Sequence, residues 1–193
     1  MKYKLVLPIA ILLSFSFSSV YALNITDESK QATTNNALNN DNLKKDGEEL
    51  AWLIVVDKSE ISAAKEVLKR KVSPEIKQYA IMLYNNHTKN LKSTLKIGEK
   101  MGAKLVDTDA VISLKKNEEN ELAKLKTLDD KAFQLTFLNA MIKGHTEVLQ
   151  KINQDLQNIS NPALKNHFEL TGKMIEKHLD KAKSILNNLK SNS

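Results

Sequence analysis

Tyr79–Leu91 reads YAIMLYNNHTKNL, and it sets apolar residues and one histidine at helical spacing. Ala80, Leu83, His87 and Leu91 recur at intervals of three and four, the period that lines one face of an α-helix. His87 therefore falls on the face a helix buries. Continued in both directions, that face takes in Ile76, Thr94, Gly98 and Met101. The stretch also has punctuation: Ser73 suits a helix cap with Pro74 at the first helical position, and Gly102 suits the left-handed turn that ends a helix.

Three further long helices follow from the same reading. One precedes this stretch, starting at Asp46, whose side chain and Glu49 make a capping box. Its seam runs Leu50, Leu53, Asp57, Ile61, Ala64 and Leu68. Two come later. One spans about Asp130 to Ile159, with Phe133, Phe137, Met141, His145 and Ile152 on its seam. The other spans Pro162 to Leu189, with Leu164, Phe168, Thr171, Ile175, His178, Ala182 and Ile185. Asn161-Pro162 repeats the cap-plus-proline device of Ser73-Pro74, so each device folds one helix back on its predecessor. Between the two pairs lies a long connection holding one shorter amphipathic piece, roughly Ala110 to Leu125. The expected fold is all-α, a four-helix bundle with a short extra helix in that connection. Its length permits the second and third long helices to run parallel, the single-crossover arrangement of ferritin-like bundles, or antiparallel in an up-down-up-down bundle.

The 193 residues hold no cysteine, which removes disulfides, thiolate ligands, cysteine nucleophiles and a lipidated N-terminal cysteine. Residues 1–22 read as a signal peptide: a basic MKYK start, the apolar run LVLPIAILLSFSFSSV, and a cleavage site after Val20-Tyr21-Ala22. Loss of Lys2 and Lys4 takes the 29 basic residues to 27 against 23 acidic, a net charge of +4. Those charges are spread along helix faces, with no basic stripe or reader motif, so nucleic acid is not an expected partner. Residues 23–45 are rich in Asn and Thr without an apolar period and read as a flexible tether. The mature domain, 46–190, is expected outside the cytoplasm, periplasmic, outer-membrane-associated or extracellular, with no transmembrane segment after cleavage.

SEISAAKEVLKRKVSPEIKQYA, then AIMLYNNHT, AMIKGH and HLDKA, following a signal peptide, resemble the bacterial family filed as domain of unknown function 4142. The resemblance covers about Glu48 to Leu186, and the histidine placements are its most specific part. It implies an exported, ferritin-like helical bundle of the kind labelled outer-membrane or exported protein, and it implies no settled activity. Where relatives carry Asp before the first histidine, this chain has Asn86.

Counted from the tight turn at Val72 and Ser73, Glu60 and His87 lie about 18 and 21 Å along their helices; from Ser160, His145 and His178 lie about 22 and 27 Å. In a bundle about 40 Å long with those turns at opposite ends, all four fall within roughly 8 Å of one level. Glu60, His87, His145 and His178 are thus a candidate metal site for zinc, copper or iron. The alternative is a set of neutral core histidines hydrogen-bonded to one another's helices and to Glu60 or Asp57. The Glu-x-x-His signature of di-iron bundles is missing, since Tyr84, Ile142 and Ile175 stand where its glutamates would be. His167 is expected to be peripheral, and Glu118-Glu119 and Asp129-Asp130 to be exposed or capping residues. With no phosphate loop and no nucleophile elbow, two functions remain. One is a non-enzymatic envelope protein binding an envelope partner or a second copy of itself; the other is a metal-binding or redox protein.

Overall fold

The computed structural model describes residues 27–191, among which the chain forms five helices and no strand: α1 (Asp27–Leu68), α2 (Pro74–Met101), α3 (Asp109–Lys126), α4 (Asp130–Asp155) and α5 (Pro162–Ser191). The signal peptide read at residues 1–22 lies outside the described residues. The helix punctuation follows the local chemistry. Ser73 Oγ accepts from the Ile76 N–H, Asp129 Oδ1 from the Lys131 and Ala132 N–H groups, and Asn161 Oδ1 from those of Ala163 and Leu164. Gly102 closes α2 with φ +63°, a left-handed conformation that costs glycine nothing.

The start of α1 differs from the expectation. The helix begins at Asp27 rather than Asp46, so Asp46 caps nothing; it lies inside α1, buried, its carboxyl pushed up by burial and by Glu49. Glu49 reaches across the bundle instead, accepting from Lys151 Nζ at 2.7 Å. Residues 27–45 lack an apolar face, but they also lack proline and glycine, and nothing stops a helix from propagating backwards from packed turns.

Residues that rise in number along α2 meet falling numbers on α5. Tyr79 Oη donates to the His178 carbonyl, Asn90 faces Thr171, and Thr94 faces His167. The two helices are antiparallel. Because α5 turns back on α4 at Asn161-Pro162, α2 and α4 are parallel, and α3 is the crossover that carries the chain from one end of the bundle to the other. The connection's length left this open. Two anchors decide it. At one end the chain after α2 crosses α1 at Gly47, where any side chain would strike the Lys104 carbonyl, and the Val106 N–H points at the Gly47 carbonyl. At the other end the Arg70 guanidinium donates to the Leu128 and Lys126 carbonyls at 2.6 and 2.7 Å, satisfying the C-terminal end of α3.

Helix α1 packs on α2, α2 on α5, and α5 on α4. The circuit does not close as tightly between α1 and α4. Lys151–Glu49 and Arg70–Asp130 bridge that seam near its ends, and α3 lies over it. The apolar core falls into two clusters. One surrounds Val67, Ile76, Tyr79, Leu83, Phe133, Phe137, Leu138 and Ile185; the other surrounds Leu50, Trp52, Leu53, Ile152, Leu164 and Phe168. Between them the long helices bury a polar belt: Asp57, His87, Asn90, Thr94, His145, His167, Thr171 and His178. Among the described residues no helix is long and apolar enough to cross a membrane.

Candidate metal centre

His87, His145 and His178 come together inside this belt. Each is at most 1 % exposed, and one ring nitrogen from each lies within 4.8 Å of those of the other two. The ring centroids are 5.1 to 6.0 Å apart. Helix α2 supplies His87, α4 His145 and α5 His178, each from the apolar seam of its helix.

Each ring spends one nitrogen on the protein. His87 Nδ1 is 2.9 Å from Asp57 Oδ1, and Asp57 is fully buried. His145 Nδ1–H donates to the Met141 carbonyl one turn earlier, at 2.7 Å. His178 Nε2 is 3.0 Å from Asn86 Nδ2. The other three nitrogens, Nε2 of His87, Nε2 of His145 and Nδ1 of His178, are buried without a protein partner. A carbonyl only accepts, so the proton of neutral His145 is on Nδ1 and its Nε2 is a bare lone pair. The Asp57 carboxylate fixes His87 the same way. Two lone pairs facing each other cannot hydrogen-bond. Leaving such groups unpaired costs about 1–3 kcal/mol each, which across three nitrogens is a large part of a domain's stability of about 5–15 kcal/mol.

Asp57 is held in turn. Asn90 Nδ2 donates to both its oxygens, at 3.2 and 3.1 Å, and Asn90 Oδ1 accepts from Thr171. Burial pushes the Asp57 carboxyl up, against the pull of His87 and Asn90. Burial likewise lowers His145, with His87 adding to the effect and Glu60 opposing it. His178 is pushed down to about 2, by burial first and then by the other two imidazoles. Neutral imidazole is the form that ligates metals.

Glu60 stands beside the three rings rather than among them. Its Oε1 is 3.8 Å from His145 Nδ1, and its Oε2 is buried with no partner. Two other expectations need correction. His167 is not peripheral: it is 6 % exposed, with Nε2 2.9 Å from Thr94 Oγ1, because its helix buries a wider face than the seam alone. Glu118 is not a solvated helix residue: it faces a cleft under α3, and its carboxyl is pushed up to about 7, by burial first and then by Glu60 and Glu121. Thr171 is legible in the sequence only as a polar residue on its helix seam, and Asn90, one position off its seam, carries no such signal.

Fold and centre together define a class: an all-α protein of four long helices and a crossover helix, with three convergent histidines in a polar core. Over residues 28–185 the chain matches the family model described as domain of unknown function (DUF4142), and it belongs to that family. No curated protein and no solved structure matches it.

Proposed function

We propose that the protein is an exported, ferritin-like bundle of the bacterial envelope that holds one zinc or copper ion on His87, His145 and His178. The observation that carries the metal reading is the set of three buried imidazole nitrogens that no protein group satisfies. A tetrahedral ion with nitrogen ligands at about 2.0–2.1 Å needs each nitrogen to move inward by less than about 1 Å from the spacing observed. Imidazole ligands without thiolate suit zinc or copper, and the lack of Glu-x-x-His speaks against ferritin's iron chemistry. Glu60 lies next to the outer Nδ1 of His145 rather than among the three inner nitrogens, so it would have to turn inward to complete the set as a fourth ligand. Asp57 and the Met141 carbonyl act behind the ligands, orienting the rings and raising their basicity. Export rests on the leader pattern of residues 1–22.

Thermal melts with and without added zinc or copper test this reading. Binding at a free concentration one hundred times the dissociation constant stabilises the fold by about 2.7 kcal/mol. Wild type should show that rise, and His87→Ala should lose it. All four histidines are buried, so the control is Ile152→Ala, a core variant outside the centre: it melts lower throughout and keeps the metal-dependent rise. A wild type indifferent to both metals would leave the histidines purely structural.

Asn86 offers a gain-of-affinity test. As placed, its amide N–H points at His178 Nε2, which puts the imidazole proton on the inner nitrogen Nδ1; turned over, Oδ1 accepts from Nε2–H and bares Nδ1. A carboxylate can only accept. Asn86→Asp should therefore tighten metal binding by about tenfold, the lower end of what outer partners contribute, in a competition titration against a chromophoric chelator. Unchanged or weaker binding would mean that Nδ1 of His178 is not a ligand.

A further inference from the structure

Around the centre α1 packs on α2, α2 on α5, and α5 on α4. Between α2 and α5 the packing includes direct side-chain pairs, Asn86 with His178, Asn90 with Thr171 and Thr94 with His167. The seam between α1 and α4 is different. There a cleft of about 560 Å³ runs beneath α3, and a second hollow of about 190 Å³ adjoins it. Glu60, Glu118, Gly144 and Glu147 line both. Glu60 lines both hollows and comes nearest the centre from them, its Oε1 3.8 Å from His145 Nδ1, the ring nitrogen that bonds the Met141 carbonyl; none of the three histidines itself lines either hollow.

Gly144 precedes His145 on α4. Glycine in a helix interior weakens the helix, so its presence asks for a reason. Its backbone is ordinary helix, without positive φ, and a Cβ added there would meet no atom within 4 Å. Neither backbone conformation nor close packing calls for glycine at this place. What the missing side chain does is leave the cleft wall open next to a centre histidine.

We propose that this cleft is the passage by which a divalent cation reaches His87, His145 and His178, kept open by Gly144, with Glu60 receiving the ion at its inner end. The proposal rests on the metal reading above. Glu118 and Glu147 along the passage supply oxygen ligands for a cation in transit. Lys143, paired with Glu147 at 3.1 Å, sits at the solvent side with most of its side chain exposed.

The test uses the full chain and cobalt(II), whose visible absorption reports nitrogen ligation. Stopped-flow mixing gives the rate of entry and a chelator chase gives the rate of release, for wild type, Gly144→Ala, Gly144→Leu and Gly144→Trp. A plug in a passage raises the barrier without altering either end state. Entry and release should slow together as the side chain grows, by about tenfold or more for tryptophan, while the dissociation constant changes little. Should the tryptophan variant fail to fold, the leucine variant carries the same comparison. Wild-type rates in the folded variants would overturn the passage while leaving the centre intact. A wild type that takes up no cobalt would instead sink the metal reading itself, and the passage with it.

Discussion

Replacing Asp57 with alanine is expected to destabilise the protein by about 2–5 kcal/mol, the cost of leaving two buried donors without an acceptor at about 1–3 kcal/mol each. Asp57 is fully buried in α1 and is the acceptor for two side chains of α2 at once, the His87 ring and the Asn90 amide. Alanine leaves the His87 Nδ1–H and the Asn90 N–H shared between the two carboxylate oxygens without acceptors in a buried site. Asp57→Asn keeps one oxygen for His87 but turns an amide toward the Asn90 amide, so its cost should be smaller, about 1–3 kcal/mol. Urea unfolding followed by circular dichroism measures both, as a shift in midpoint at constant slope. The alanine variant should also lose about 10- to 100-fold in metal affinity, since the outer partner of a ligating histidine fixes its tautomer and orientation. A loss below about 1 kcal/mol would mean that the polar belt is not held as described.

The metal-free protein is expected to lose stability in acid, beginning near pH 6.5. Burial lowers His145, His167 and His178 in the fold below their ordinary value of 6.5, so the unfolded chain binds protons there that the folded chain refuses. Stability is therefore full above that pH and falls as pH drops below it. Three such protons give a limiting slope of about 4 kcal/mol per pH unit. Carboxyls raised by burial work in the opposite sense. Glu118, raised to about 7, with Asp57, Glu49 and Asp46, takes up protons in the fold before the unfolded chain does, which favours the fold as pH falls. The net slope should thus be shallower than three protons. Glu118→Gln removes one counterweight and should steepen the loss between about pH 7 and 4.5 by at most one proton, less what solvent screens. Urea midpoints at half-unit pH steps read both effects; stability that held or rose from pH 6.5 to 5 in wild type and in Glu118→Gln alike would contradict the dominance of the buried histidines in the acid response.

The parts of this molecule that were legible in its sequence are those written in local chemistry. Ser73-Pro74, Asn161-Pro162 and Gly102 act within a few residues, and they fixed three helix ends. The level of the histidines could be counted along rigid helices from the two turns, because a helix rises by a constant amount per residue. What was not legible depends on contacts between distant segments. The parallel course of α2 and α4 hangs on Gly47 meeting Lys104 and on Arg70 meeting Leu128, neither of which has a periodic signal. The extension of α1 back to Asp27 was hidden because an apolar period marks buried helix and says little of a polar one. His167 and Asn90 sit one position off their seams, and the width of a buried face is set by the neighbouring helix. Glu118 looked like a solvated residue because α3 itself makes the cleft it faces.

The central claim is that three histidines from three helices converge to hold one ion. Native mass spectrometry of the protein, isolated from its source without chelator, tests it most directly. The account predicts a mass one zinc or copper ion above that of the polypeptide, present at one per chain and missing from His145→Ala prepared in the same way. Wild type at the bare polypeptide mass, unchanged after addition of either metal, would contradict it.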